Sequence, residues 1–220
     1  MHPATPRACY IPHLGSQSAM ESLSDRFERA VAEFDRLNGE DPTQEKVSGV
    51  LHAAALAHAD RVQAWVLHLN PEASEALRLS TRCQHLMRFR FPRSDFPEGR
   101  VGYLQWRKAA MRFHATEAEQ VLKRVGYDNA TISKVKRIVM KQGLNLDADV
   151  QTMEDALCLA FLEHDFPQFL QQHPEDKVLH ILRTTWDKMS DAGRAAALEL
   201  VGSLPEPAAS LVQKAELSLD

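Results

Sequence analysis

The chain has 220 residues, 44% of them apolar and 25% charged, a composition that suits a folded protein with one core or two small ones and excludes general disorder. No run of about 18 apolar residues occurs, which excludes a bilayer-spanning helix. The formal net charge of -4 hides an uneven distribution. Between Arg82 and Arg112 eight basic residues face only Asp95 and Glu98, a local charge of +6 that leaves -10 on the remainder. Focused positive charge on an acidic chain points to a site for a small anion and argues against nucleic acid, which usually requires a basic domain. A solvated basic face is the plain alternative.

Residues 1–20 have no apolar run and several Pro, Gly and Ser, unlike a secretory signal. They read as a loosely attached tail of a cytoplasmic protein. From there the periodicity is helical, with no alternating run of strand length. Ser24 or Asp25 caps a helix carrying Phe27, Val31, Phe34 and Leu37, closed by Asn38-Gly39. After the Asp41-Pro42 turn, a second helix is predicted from Lys46 to Leu69, stopped by Asn70-Pro71. A third is predicted from Glu72 to Phe91. Pro92, Pro97, Gly99 and Gly102 then mark a loop amid the basic residues.

Tyr103–Val125 reads as a fourth helix ended by Gly126, and Asp128 or Asn129 caps a fifth that runs to Gln142. Gln151–Glu163 is the sixth, and Pro167 opens a short seventh. Lys177–Met189 and Asp191–Val201 are the last two, followed by a weaker amphipathic tail over 204–220. The expectation is one all-α helical bundle over 21–203. Cys9, Cys83 and Cys158 are too few and too scattered for a disulfide framework, and the last two read as buried.

The chemistry falls to the ten histidines, because no phosphate-binding glycine loop, H-E-x-x-H or G-x-S-x-G is present. Nor does any signal for a nicotinamide, flavin or haem appear. His58 sits mid-helix, His85 lies near the end of the third helix and His114 lies in the fourth. Glu154-Asp155 opens the sixth. Imidazoles and carboxylates projecting from separate helices of a bundle are a standard way to hold a divalent metal. Taken singly, each histidine reads as readily as an ordinary core residue, and Glu154-Asp155 as favouring a helix N-terminus.

The order of these segments resembles the HD superfamily of metal-dependent phosphohydrolases, whose pattern is His, then His-Asp, then Asp. His58 matches the first histidine, Gln84-His85 falls at the dyad, and Asp155 matches the final aspartate. The dyad carboxylate is missing here, and the one His-Asp dipeptide, His164-Asp165, lies out of order. The run from Arg26 to Leu198 resembles more closely the domain-of-unknown-function family DUF4202. That likeness rests on Pro92-Arg93, Tyr103-Leu104-Gln105-Trp106-Arg107, Gly126-Tyr127-Asp128 and Phe161-Leu162-Glu163.

The superfamily resemblance implies an HD-like bundle with zinc, iron or manganese on His58, His85 and Asp155, in a nitrogen-rich shell. It further implies proton transfer by Glu154 or His114 and hydrolysis of a small phosphorylated or nucleotide-like substrate gripped by Arg82, Arg93, Arg100 and Arg107. The competing expectation is a non-catalytic sensor that binds an anionic metabolite or a protein partner through the basic segment 82–112. Oligomeric state has no signature in the sequence.

Overall fold

A computed structural model describes the backbone over residues 15–217 and side chains over 25–214. It is all-α apart from one hairpin: ten α-helices and, among the described residues, a single two-stranded sheet. The predicted tail splits. Residues 1–14 lie outside the described residues, whereas 15–20 belong to α1, Gly15–Asn38.

The first correction concerns residues 44–53. Gln44–Val47 (β1) and Val50–Ala53 (β2) form an antiparallel hairpin with Gln44 opposite Ala53, where a helix from Lys46 was predicted. Ser48 and Gly49 both have positive φ, 50° and 89°, the twist that a two-residue hairpin turn requires. Val47, Val50 and Leu51 are exposed, so the hairpin shows no buried face from which an alternating pattern could be read. The second helix therefore begins at Ala54, as α2 (Ala54–Leu69).

The third helix is also shorter than predicted. Ser74 caps α3 (Glu75–Cys83) by accepting a hydrogen bond from the Leu77 amide at 3.1 Å. The chain then leaves the helical path because Asn38 clamps it. The Asn38 side chain donates to the Arg82 carbonyl at 2.8 Å and accepts from the Met87 amide at 3.3 Å. Met87 takes a left-handed conformation, φ 51°, which turns Arg88–Arg90 into a separate 3-10 turn.

The predicted loop after Phe91 is compact. A second 3-10 turn covers Arg93–Asp95, and α4 (Gly99–Val125) begins four residues earlier than expected. Gly102 permits the close approach of loop and helix, since a Cβ there would lie 1.8 Å from the Pro97 carbonyl oxygen. As predicted, Gly126 ends α4; of the two candidate caps Asp128 is the one used for α5 (Asn129–Val139), which stops three residues before the predicted Gln142.

α6 (Ala148–Ala160) continues through one turn of π-helix, Phe161–Asp165, into α7 (Phe166–Gln172). α8 (Glu175–Trp186), α9 (Asp191–Val201) and α10 (Ala208–Leu217) complete the chain. The predicted C-terminal tail is thus partly structural, because α10 buries Ala208, Ala209, Leu211 and Val212.

One apolar cluster, centred on Phe34, Val62, Leu77, Leu122 and Val135, joins the helices up to α6, where it runs from Val150 to Ala160. A second, around Leu159, Phe166, Leu182, Trp186 and Ala197, joins the rest. Trp65 and Leu69 of α2 pack against both clusters. Cys83 and Cys158 are free and buried. Among the described residues no helix is long and apolar enough to cross a membrane.

Candidate functional site

Three histidines from three elements meet where α2, the turn after α3, and α4 converge. The His58 and His85 rings are stacked, with centroids 4.8 Å apart, and the His85 and His114 rings lie 5.8 Å apart. His85 Nδ1 is 2.9 Å from His58 Nε2, and Arg88 Nη1 is 3.4 Å from His85 Nε2. A guanidinium can only donate, so His85 Nε2 accepts and its proton resides on Nδ1. His85 therefore donates to His58 Nε2, which leaves the His58 proton on Nδ1. The result is a directed run, Arg88 to His85 to His58.

His114 is set differently. It is buried, and its Nδ1 lies 2.8 Å from the Leu86 carbonyl, so Nδ1 carries the proton and Nε2 keeps a lone pair. The turn that supplies the acceptor is fixed by Asn38 and by Gln84, whose side-chain amide donates to the Val139 carbonyl at 3.2 Å. At the position matching the superfamily dyad, Gln84 is thus a buried prop for the turn.

All three imidazoles are uncharged at neutral pH. Burial lowers His58 and His114 to about 4, and it drives His85 well below the ordinary histidine value, with His58 and Arg88 adding to the effect. A histidine whose folded pKa is depressed contributes stability that is complete above about pH 6.5 and is lost as pH falls towards the folded value. For His114, that loss is up to about 3 kcal/mol between pH 6.5 and 4, at about 1.4 kcal/mol per pKa unit. Urea unfolding across this window should show the decline. His114→Gln, whose amide can still donate to Leu86, should make the decline shallower by the His114 share, the contributions of His58 and His85 remaining. A wild-type stability that does not change with pH over the window would contradict neutral burial.

Arg88 forms one wall. Its guanidinium stacks on Trp106, 4.8 Å from the ring centroid, and Trp106 is anchored by its indole N–H to the Phe91 carbonyl at 3.1 Å. Arg88 is exposed, yet the protein packed around it and the nearby charge of Arg107 both disfavour its cation, while Tyr103 and Asp165 favour it. Neither Arg88 nor Arg107 has a carboxylate at ion-pair distance among the described residues. Arg100, exposed in the first turn of α4, has none either.

The other predicted anion contacts are used within the protein. Arg82 is buried and ion-paired with Asp35 and Asp60, each at 2.5 Å. Arg93 donates to the carbonyls of Phe96 and Pro97 at 2.9 and 2.6 Å and holds the loop together.

The predicted carboxylates also lie apart from the histidines' hydrogen bonds. Asp155 Oδ1 accepts from the Ser190 amide at 2.9 Å and from the Gln151 side chain at 3.0 Å. Its Oδ2 accepts from the Ser190 hydroxyl at 2.6 Å. Both oxygens therefore hold the start of α9. Glu154 is buried in an ion pair with Lys141, whose charge also bears on His85. Among the described residues no three His, Cys, Asp or Glu side chains converge as a metal requires. The set His58, His85 and Asp155 does not fit a divalent ion, since the carboxylate is engaged elsewhere.

Two residues near the histidine cluster carry no distinctive signal in the sequence. Arg88 was one cation in a basic run. Asp165 sits on the π-helical turn, a feature often found at functional sites, and its charge supports the cationic forms of His58, Arg61 and Arg88. The His164-Asp165 dipeptide was its only signal. On the same wall, Glu45 of the hairpin pairs with Arg61, and His164 lies 3.4 Å from Glu45.

No curated protein and no solved structure matches the chain. The family model described as Domain of unknown function (DUF4202) matches residues 28–212, a span that takes in the whole histidine cluster, and the chain belongs to that family.

Proposed function

We propose that the cluster of His58, His85 and His114 binds a small phosphorylated ligand at its edge, with Arg88 and Arg107 as the anion contacts. The observation that carries this reading is the pair of mutually repelling guanidinium groups beside three uncharged imidazoles. Like charges held together at the edge of a weakly polar cluster are relieved when an oxyanion enters, and guanidinium forks match phosphate oxygens. The free lone pair of His114 Nε2 adds a proton acceptor.

A phosphohydrolase is the second reading, favoured by the hydrogen-bonded run through His85 to His58. When a bound phosphate ester draws the Arg88 guanidinium away, His85 Nε2 can take a proton from an attacking water and pass its Nδ1 proton to His58 Nε2. Asp155 and Glu154, predicted for a metal mechanism, have no part in this step.

Ligand-induced stabilisation tests the binding. Millimolar inorganic phosphate or pyrophosphate should raise the melting temperature with the logarithm of concentration, because it binds the folded state alone. Arg88→Ala or Arg107→Ala should weaken binding by roughly 10- to 100-fold, the equivalent of a charged hydrogen bond worth about 1.5 to 3 kcal/mol. Absence of a shift in the parent protein, or a full response in both variants, would overturn the proposal.

A further inference from the structure

An open pocket of about 260 Å³ lies at the far end of α3 from His85. Arg26 of α1, Glu75 and Ala76 at the start of α3, Lys134 and Ile138 of α5, and Asp149 of α6 contribute to its walls. The Arg26 guanidinium stacks on Tyr127, 4.3 Å from the ring centroid, and its Nε is buried without a hydrogen-bond partner. Neither Arg26 nor the exposed Lys134 meets a carboxylate at ion-pair distance among the described residues. The two carboxylates are equally short of cations. Glu75 accepts from the Tyr127 hydroxyl at 2.5 Å and Asp149 from the Ser74 hydroxyl at 2.6 Å.

Arg137 and Asp147, also on the lining, pair with each other at 3.0 Å, and the remaining two cations and two carboxylates of the pocket stay unpaired, although Arg36, Arg82, Arg90 and Lys136 elsewhere all reach carboxylates. Neutral hydroxyl partners hold the acids where they are. The charge pattern discriminates between ligands. A simple anion would be repelled by Glu75 and Asp149, and a simple cation by Arg26 and Lys134. A zwitterion meets both signs. The α3 terminus adds donors for its carboxylate, because Ser74 satisfies the Leu77 amide and leaves those of Glu75 and Ala76 without helical acceptors. Ala76 and Ile138 give an apolar side.

We propose that this pocket binds a free α-amino acid, its carboxylate on Arg26, Lys134 and the α3 amides and its ammonium group on Glu75 and Asp149. The site is separate from the histidine cluster and stands independently of the function proposed for it.

The test is to titrate the full chain with each of the twenty free amino acids, following melting temperature and backbone amide spectra. At least one should bind saturably and move the amides of residues 74–76 and 131–138. Its N-acetyl derivative and its decarboxylated amine should each bind at least tenfold more weakly. Asp149→Asn, which can still accept from Ser74, and Lys134→Ala should each weaken binding about tenfold while leaving the phosphate response of Arg88 and Arg107 unchanged. The proposal is overturned if no amino acid moves those amides or if the N-acetyl derivative binds as well. It is equally overturned if inorganic phosphate binds this pocket better than any amino acid, or if both variants bind like the parent.

Discussion

Replacing Asp155 with alanine is expected to destabilise the protein by about 3 to 5 kcal/mol, the range for a buried, multiply hydrogen-bonded charge. The loss has three sources, the acceptors for the Ser190 amide, for the Ser190 hydroxyl and for Gln151. Ser190 itself caps α9 by accepting from the Gly193 amide at 3.2 Å, so the substitution also loosens a helix start whose positive end favours the carboxylate. Gly193→Ala should produce a similar loss by another route, because its Cβ would fall 2.7 Å from the Asp155 carboxyl carbon. Urea denaturation measures both. If Asp155→Ala kept the parent's stability but lost ligand binding, Asp155 would return to the functional role that the superfamily resemblance implied.

Arg82→Ala should cost about 3 kcal/mol, near the lower end for breaking a buried ion pair, because its two partners retain access to water. Arg82 bridges α3 to Asp35 of α1 and Asp60 of α2. Burial raises the Asp35 carboxyl pKa and Arg82 opposes that rise, so the variant should also leave Asp35 easier to protonate. Asp60 is well exposed, and Asp60→Ala should cost less than about 1 kcal/mol. The phosphate response should survive in folded Arg82→Ala protein, in contrast to the Arg88 and Arg107 variants. Loss of that response with stability intact would reverse the assignments of Arg82 and Arg88.

These two residues show where sequence reading stops. Arg82 and Arg88 are the same residue type six positions apart, yet one is buried in an ion-paired clamp and the other stacks on Trp106 beside a histidine. The Asn38 clamp and the left-handed Met87 make the difference, and both depend on a partner more than forty residues distant. Local signals were reliable where the physics is local. Gly126 after α4, the Asp128 cap of α5 and the α9 boundaries all follow from capping chemistry and backbone preference. The hairpin escaped because its exposed valines and leucine mimic the apolar spacing of the adjoining helix, leaving Ser48-Gly49 as the only turn signal.

The three histidines were legible because each lies on or beside a strongly periodic helix. The fate of Asp155 was not, because its acceptor role is decided by Ser190, thirty-five residues further on. Asp165 was hidden for a different reason: a π-helical turn alters the direction of its side chain relative to the α-helical register that periodicity assumes.

The most direct measurement of the central claim is a phosphate titration of protein carrying nitrogen-15 in its histidine and arginine side chains, followed by NMR at pH 7. Before phosphate is added, His58, His85 and His114 should each show the neutral Nδ1–H tautomer. During the titration the ring nitrogens of His58 and His85 and the Arg88 and Arg107 Nε signals should move together and saturate, and Arg88→Ala should abolish the histidine response. Cationic imidazoles at neutral pH, or saturable changes confined to residues outside this cluster, would contradict the account.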